Sequence, residues 1–164
     1  MLSFSSKRSA WQSQIEIPLG VVNQIGDGAF AYTGGDGLTF QFNSALTRIS
    51  SNAFYNAIYD GAMIKTTKNL TYLGSYSFYQ DKHKTSCVLN IDECGLTSFS
   101  SSIFYNIAFS NDLILPSNIT SVGENFNMNG CFKSVYIPST TKTLKNNCFG
   151  SSSSSAVSNF YLNY

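Results

Sequence analysis

The chain has 164 residues and a mass of 18.0 kDa, which is room for one domain. Only 12% of its residues are charged and the net charge is +1, so it lacks the clustered Lys and Arg that nucleic acid or an anionic membrane would require. Apolar residues at 43% and aromatics at 15% supply a core, while abundant Ser and Asn favour turns over long helices.

In chain order, residues 1–14 (MLSFSSKRSAWQSQ) read as a polar N-terminal arm holding the only tryptophan, Trp11. No basic start followed by an apolar run marks a signal peptide. No stretch approaches the ~20 apolar residues of a membrane helix, so no membrane insertion is expected.

From residue 15 onward two short patterns alternate. The first is strand-like: IEIP (15–18), FQFN (40–43), IKTT (64–67), LNID (89–92), LILP (113–116), VYIP (135–138) and FYLN (160–163). Pro18, Pro116 and Pro138 share one column directly after the strand, where a residue without an N–H ends the ladder. The second pattern is apolar-x-x-apolar-Gly/Ser-x-x-small-Phe. It occurs as VNQIGDGAF (22–30), LTRISSNAF (46–54), LTYLGSYSF (70–78), LTSFSSSIF (96–104), ITSVGENFNM (119–128) and TKTLKNNCF (141–149). The fifth copy reads as carrying one extra residue, with Met128 or Phe126 in the Phe slot.

Starts 22 to 26 residues apart, with one short strand each, match the length of a leucine-rich repeat. A single unit cannot bury its own apolar side, so the units must stack and share a core. The expected fold is a mainly β leucine-rich-repeat solenoid: a short parallel strand ladder, an irregular convex side and little helix. It occupies residues 15–164 in about six repeats. Phe30, Phe54, Phe78, Phe104 and Phe149 should stand over one another as a spine.

GCFKSVYIPSTTKTLKNNCF (130–149), with ILPSNITSVGENF (114–126) and VVNQIGDGAF, resembles the BspA-like class of leucine-rich repeats. The resemblance implies surface-exposed proteins used in adhesion to host proteins or other cells, and similar repeats occur in phage structural proteins. By that analogy the chain belongs on an extracellular surface or a virion.

Catalytic and cofactor chemistry find little support, and neither an enzyme activity nor a cofactor or metal is expected. The only histidine, His83, lies in the polar loop QDKHKTS (80–86), and no Ser sits in a G-x-S-x-G elbow. Asp92 and Glu93 form the one adjacent acidic pair, in a turn. The glycines of GDGAFAYTGGDG (26–37) fall in a repeat slot and a loop. Cys87, Cys94, Cys131 and Cys148 match no zinc spacing and read as packing residues. Asn69 and Asn118 each open an N-x-T sequon at the same repeat position, in the turn after the strand. Ser151–Ser155 read as a flexible loop.

The expected binding surface is the outward column of the strand ladder, which reads Glu16, Gln41, Lys65, Asn90, Ile114, Tyr136, Tyr161. Lys65, Asn90, Ile114, Tyr136 and Tyr161 are its candidate contacts for a protein or glycan on another surface. The C-terminal strand offers an open edge. Phe160, Leu162 and Tyr164, with Trp11 from the arm, are candidate assembly residues for a homo- or hetero-oligomer.

Overall fold

The computed structural model describes residues 14–16, 22–33, 39–58, 60–82, 84–151, 157 and 159–163. Trp11, Pro18, the Gly34–Gly37 loop, His83, Ser152–Ser155 and Tyr164 lie outside them, as do the side chains of Glu16 and Gln41. The described residues contain strands and turns and no helix. The fold is a β-solenoid of parallel strands, as the repeats require.

One ladder comes from the strand-like pattern. Its first part joins β1 (Gln14–Glu16), β3 (Thr39–Gln41), β5 (Met63–Lys65) and β7 (Lys84–Asn90) in parallel. Its second part joins β9 (Leu113–Ile114), β11 (Ser134–Ile137) and β13 (Asn159–Leu162). At the seam, no backbone pair links β7 to β9. The Asn111 side chain bridges it: Leu89 N–H donates to Asn111 Oδ1 at 3.0 Å, and Asn111 Nδ2 donates to Leu89 O at 2.7 Å. An amide side chain thus supplies the donor and acceptor that a strand residue would have offered. The N-terminal half of β7 turns the corner to pair with β8 (Ile107–Phe109).

The return side carries a second ladder. β2 (Gln24–Ile25), β4 (Arg48–Ile49) and β6 (Tyr72–Leu73) pair in parallel, and β10 (Ser121–Val122) pairs with β12 (Thr143–Leu144). A single bridge from Ser98 to Ser121 continues it. These two-residue strands bury Ile25, Ile49, Leu73 and Val122 in the core, and Phe99, beside the Ser98 bridge, is buried with them. The threonine of the recurring Leu/Ile-Thr pair reinforces this ladder. Thr47 Oγ1 donates to Asn23 O, Thr71 Oγ1 to Thr47 O and Thr120 Oγ1 to Thr97 O, at 2.9–3.2 Å.

The turns stack as well. Phe30 N–H donates to Ala53 O, Phe54 to Ser77 O, Phe78 to Ile103 O and Phe104 to Phe126 O, all at 2.7–3.0 Å. The rings follow the backbone. Phe30–Phe54, Phe54–Phe78 and Phe78–Phe104 have centroids 5.0–5.4 Å apart and are stacked. Each turn bends through a left-handed residue two positions before the Phe slot: Gly28, Asn52, Tyr76, Ser102, Asn125 and Asn147. Asn tolerates that conformation better than most residues with a side chain, which accounts for part of the chain's asparagine content.

The fifth copy departs from the sequence reading. It has no extra residue, because Asn127 stands at the Phe backbone position and its N–H donates to Cys148 O at 2.8 Å. Phe126, one residue earlier, reaches the spine from the slot that is Ala, Ser, Ile or Cys in other copies. It meets Phe104 at 5.4 Å and Phe149 at 5.8 Å, edge to face, and Phe99 at 4.8 Å. The Asn127 side chain is only 1% exposed and donates to Phe104 O and Ile107 O, both at 2.9 Å. A Cβ on Gly130 would overlap Ile107 O and crowd that amide, so glycine is required there.

Candidate functional site

The strand-face candidates fall into two groups. Lys65 and Asn90 are partners in the β5–β7 ladder, and both are exposed. Ile114, Tyr136 and Tyr161 are partners across β9, β11 and β13. The Tyr136 and Tyr161 rings stack at 4.6 Å with 10° between their planes. Ile114 and Tyr161 are exposed, and Tyr136 is half-buried. The Asn111 seam separates the polar pair from the apolar trio. The trio is a ridge of apolar and phenolic surface on paired backbone, where each side chain's direction is set by the ladder.

The assembly candidates lie at the C-terminal end. Phe160 and Leu162 pair with the buried Val135 and Ile137 of β11, so they occupy inward columns, yet Leu162 is 67% exposed. Leu144, whose counterparts Ile25, Ile49, Leu73, Phe99 and Val122 are buried, is 45% exposed. Leu144, Leu162 and Ile137 line a cavity of about 290 Å³ with Pro138, Thr141 and Thr143.

A second tyrosine column runs along the turns, its stacked rings one residue past the Phe spine and Tyr32 two past Phe30. Tyr55, Tyr79 and Tyr105 stack at 5.1 and 4.7 Å, and Tyr32 tilts against Tyr55 at 5.7 Å. Tyr55 Oη donates to Asp81 Oδ1 at 2.7 Å, while Asn56 Nδ2 donates to Asp81 Oδ2. Those two bonds hold the Asp81 carboxyl below the usual carboxylate range, and the same carboxylate raises the Tyr55 phenol. Asn129 Nδ2 donates to Tyr105 Oη at 3.1 Å at the other end of the column. The sequence reading missed this column, although its signal is plain: Phe-Tyr recurs at 54–55, 78–79 and 104–105.

Cys87, Cys94 and Cys148 are buried and Cys131 is half-buried. Burial pushes the Cys87 and Cys94 thiols up to about 11, far from the reactive thiolate state at neutral pH. Among the described residues no group of three His, Cys, Asp or Glu is arranged to hold a metal ion. Nor is any described helix long and apolar enough to cross a membrane. The sequon residues Asn69 and Asn118 are both exposed in turns.

Parallel ladders, stacked turns and an aromatic spine define a repeat solenoid. A family model for the BspA-type leucine-rich repeat region matches residues 23–156 in six copies, and the chain belongs to that family. It is a non-catalytic repeat family of protein-interaction and adhesion modules, typically surface-associated. Comparison with the curated proteins and with the solved structures gave no match.

Proposed function

We propose that the chain is a recognition module that engages a protein on another surface through the C-terminal half of its strand face. The observation that carries this reading is the Ile114–Tyr136–Tyr161 ridge, with its two tyrosines stacked at 4.6 Å. Paired tyrosines offer a large, rigid, amphipathic contact area with few rotamers to freeze, which suits an interface centre. Lys65 and Asn90 supply the polar margin. An extracellular surface is the setting that the family supports. Tyr161→Ala should weaken partner binding by roughly tenfold or more, since a central aromatic carries ~2 kcal/mol or more. Tyr161 is exposed, so the circular dichroism spectrum should not change. Unaltered partner binding by Tyr161→Ala and by Tyr136→Ala together would rule out the ridge.

A second reading is assembly through the C-terminal edge, as in a fibre, coat or filament subunit. The exposure of Leu144 and Leu162 at positions that are otherwise core favours it. A second copy that laid a parallel strand on β13 would cover both. Sedimentation should then show concentration-dependent association that Leu162→Lys abolishes. Monomers at all concentrations would exclude self-assembly while leaving the recognition reading intact.

A further inference from the structure

The backbone of β13 determines which polar groups a neighbour at its edge would meet. In a parallel ladder, alternate residues of a strand bond to opposite neighbours. Leu115 N–H donates to Tyr136 O at 3.1 Å, so the polar groups of Tyr136 turn back toward β9, and those of Val135 and Ile137 turn toward β13. The same sense holds upstream, where Val88 N–H donates to Ala62 O and Thr66 N–H to Asn90 O. Tyr161 is the ladder partner of Tyr136, so it turns back as well. The N–H and C=O groups of Phe160 and Leu162 therefore point away from the sheet. β13 is an outer strand of that sheet, and its residues NFYL carry neither a charge nor a proline to discourage pairing.

These outward groups are self-complementary. With the strand set antiparallel to a second copy of itself and Tyr161 opposite Tyr161, Phe160 lies opposite the second copy's Leu162, and Leu162 opposite its Phe160. Each such pair exchanges both backbone bonds. Phe160 and Leu162 are also the inward-column side chains of the strand, and they are 49% and 67% exposed. On the inner side, the second copy's Phe160 falls beside Leu162, at the cavity of about 290 Å³ that Leu162 shares with Ile137, Pro138 and Leu144. On the outer side, the Tyr136–Tyr161 stack meets its twin and becomes a row of four rings. Head-to-tail stacking has no such fit. It would set the last coil of one copy on the first coil of the next, where Ile25 is only 3% exposed, against 45% for its counterpart Leu144.

We propose that the chain forms a closed two-fold dimer in which the β13 strands of two copies pair antiparallel about Tyr161. An isologous contact of this kind uses up its own surface and stops at two. The dimer rests on the reading of this edge as an assembly surface, and it replaces a growing fibre with a pair. The outer face of the tyrosine row stays open, so recognition of another protein by the ridge holds or fails separately.

Sedimentation of the full chain, combined with cysteine cross-linking under oxidised glutathione, tests the dimer and its register. The wild-type chain should reach twice 18.0 kDa and go no further as its concentration rises. Tyr161→Cys should form an intermolecular disulfide, because directly opposite residues of this type lie about 4.5 Å apart between Cα atoms. Phe160→Cys should link at least tenfold less, since two Phe160 positions stand on a diagonal of about 8 Å, beyond the reach of a disulfide. The wild-type chain, with Cys87, Cys94 and Cys148 buried, should not link. Leu162→Pro removes an N–H that faces the edge and none that faces β11, so it should give monomers with an unchanged circular dichroism spectrum. Equal linking by Phe160→Cys and Tyr161→Cys would overturn the register and with it the proposal. Growth beyond two copies would overturn the dimer while leaving assembly through the edge in place. Monomers at every concentration would overturn both.

Discussion

The Tyr55–Asp81 contact shows how single residues join successive coils. Tyr55 belongs to the second turn and Asp81 to the polar stretch after the third, and the phenol's hydrogen bond spans the two at 2.7 Å. Because Asp81 titrates below the ordinary carboxylate range when folded, its contribution is present above that range and is lost as the pH falls through the lowered value. Tyr55 works in the opposite sense. Its folded value lies above 10.0, so its contribution is complete below that pH and is lost as the phenol ionises in stronger alkali. Tyr55→Phe removes the larger of the two bonds to Asp81, and a carbon-detected NMR titration of the Asp81 carboxyl should show its pKa rising toward the usual carboxylate value. An unmoved titration would mean that Asn56 alone sets it.

At the scale of elements, the ladders were legible in unequal measure. The strand-like pattern showed one ladder because alternation around a central outward residue persists through IEIP, FQFN and LNID. The second ladder was harder to see, since a two-residue strand leaves no alternation to detect and its threonines look like turn residues. The Asn111 seam was not legible at all. An asparagine between strands reads as a loop residue, and only the three-dimensional register reveals that its amide replaces a missing rung. The ridge residues followed from the pattern, whereas the Tyr55–Asp81 contact depends on a loop residue outside it. Asn111→Ala removes the acceptor of the Leu89 N–H and the donor to Leu89 O. Hydrogen exchange at Leu89 should accelerate by roughly tenfold or more, the equivalent of a lost hydrogen bond of about 1–2 kcal/mol. Exchange at Ile64, which lies inside the continuous part of the ladder, should hardly change.

Across the whole molecule, stability is a sum over neighbouring coils, with the aromatic spine running through all of them. Phe78 is fully buried between Phe54 and Phe104, at 5.0 and 5.4 Å. Phe78→Ala should cost about 3–5 kcal/mol in chemical denaturation, the range for emptying a packed aromatic site. The loss of exchange protection should be greatest at the Phe54 N–H and least at the Asn127 N–H, three slots further along. An even loss everywhere would mean that the coils melt as one unit. The matching of β3 with β5 and of β4 with β6 has an evolutionary corollary. Excising residues 46–69 would join Ala45 directly to Leu70, at an identical point of the next turn. The shortened rod would lose the Tyr55–Asp81 contact but keep the parallel rungs and stacked turns, so gene duplication or deletion of such a block can alter the protein's reach on the same backbone ladder.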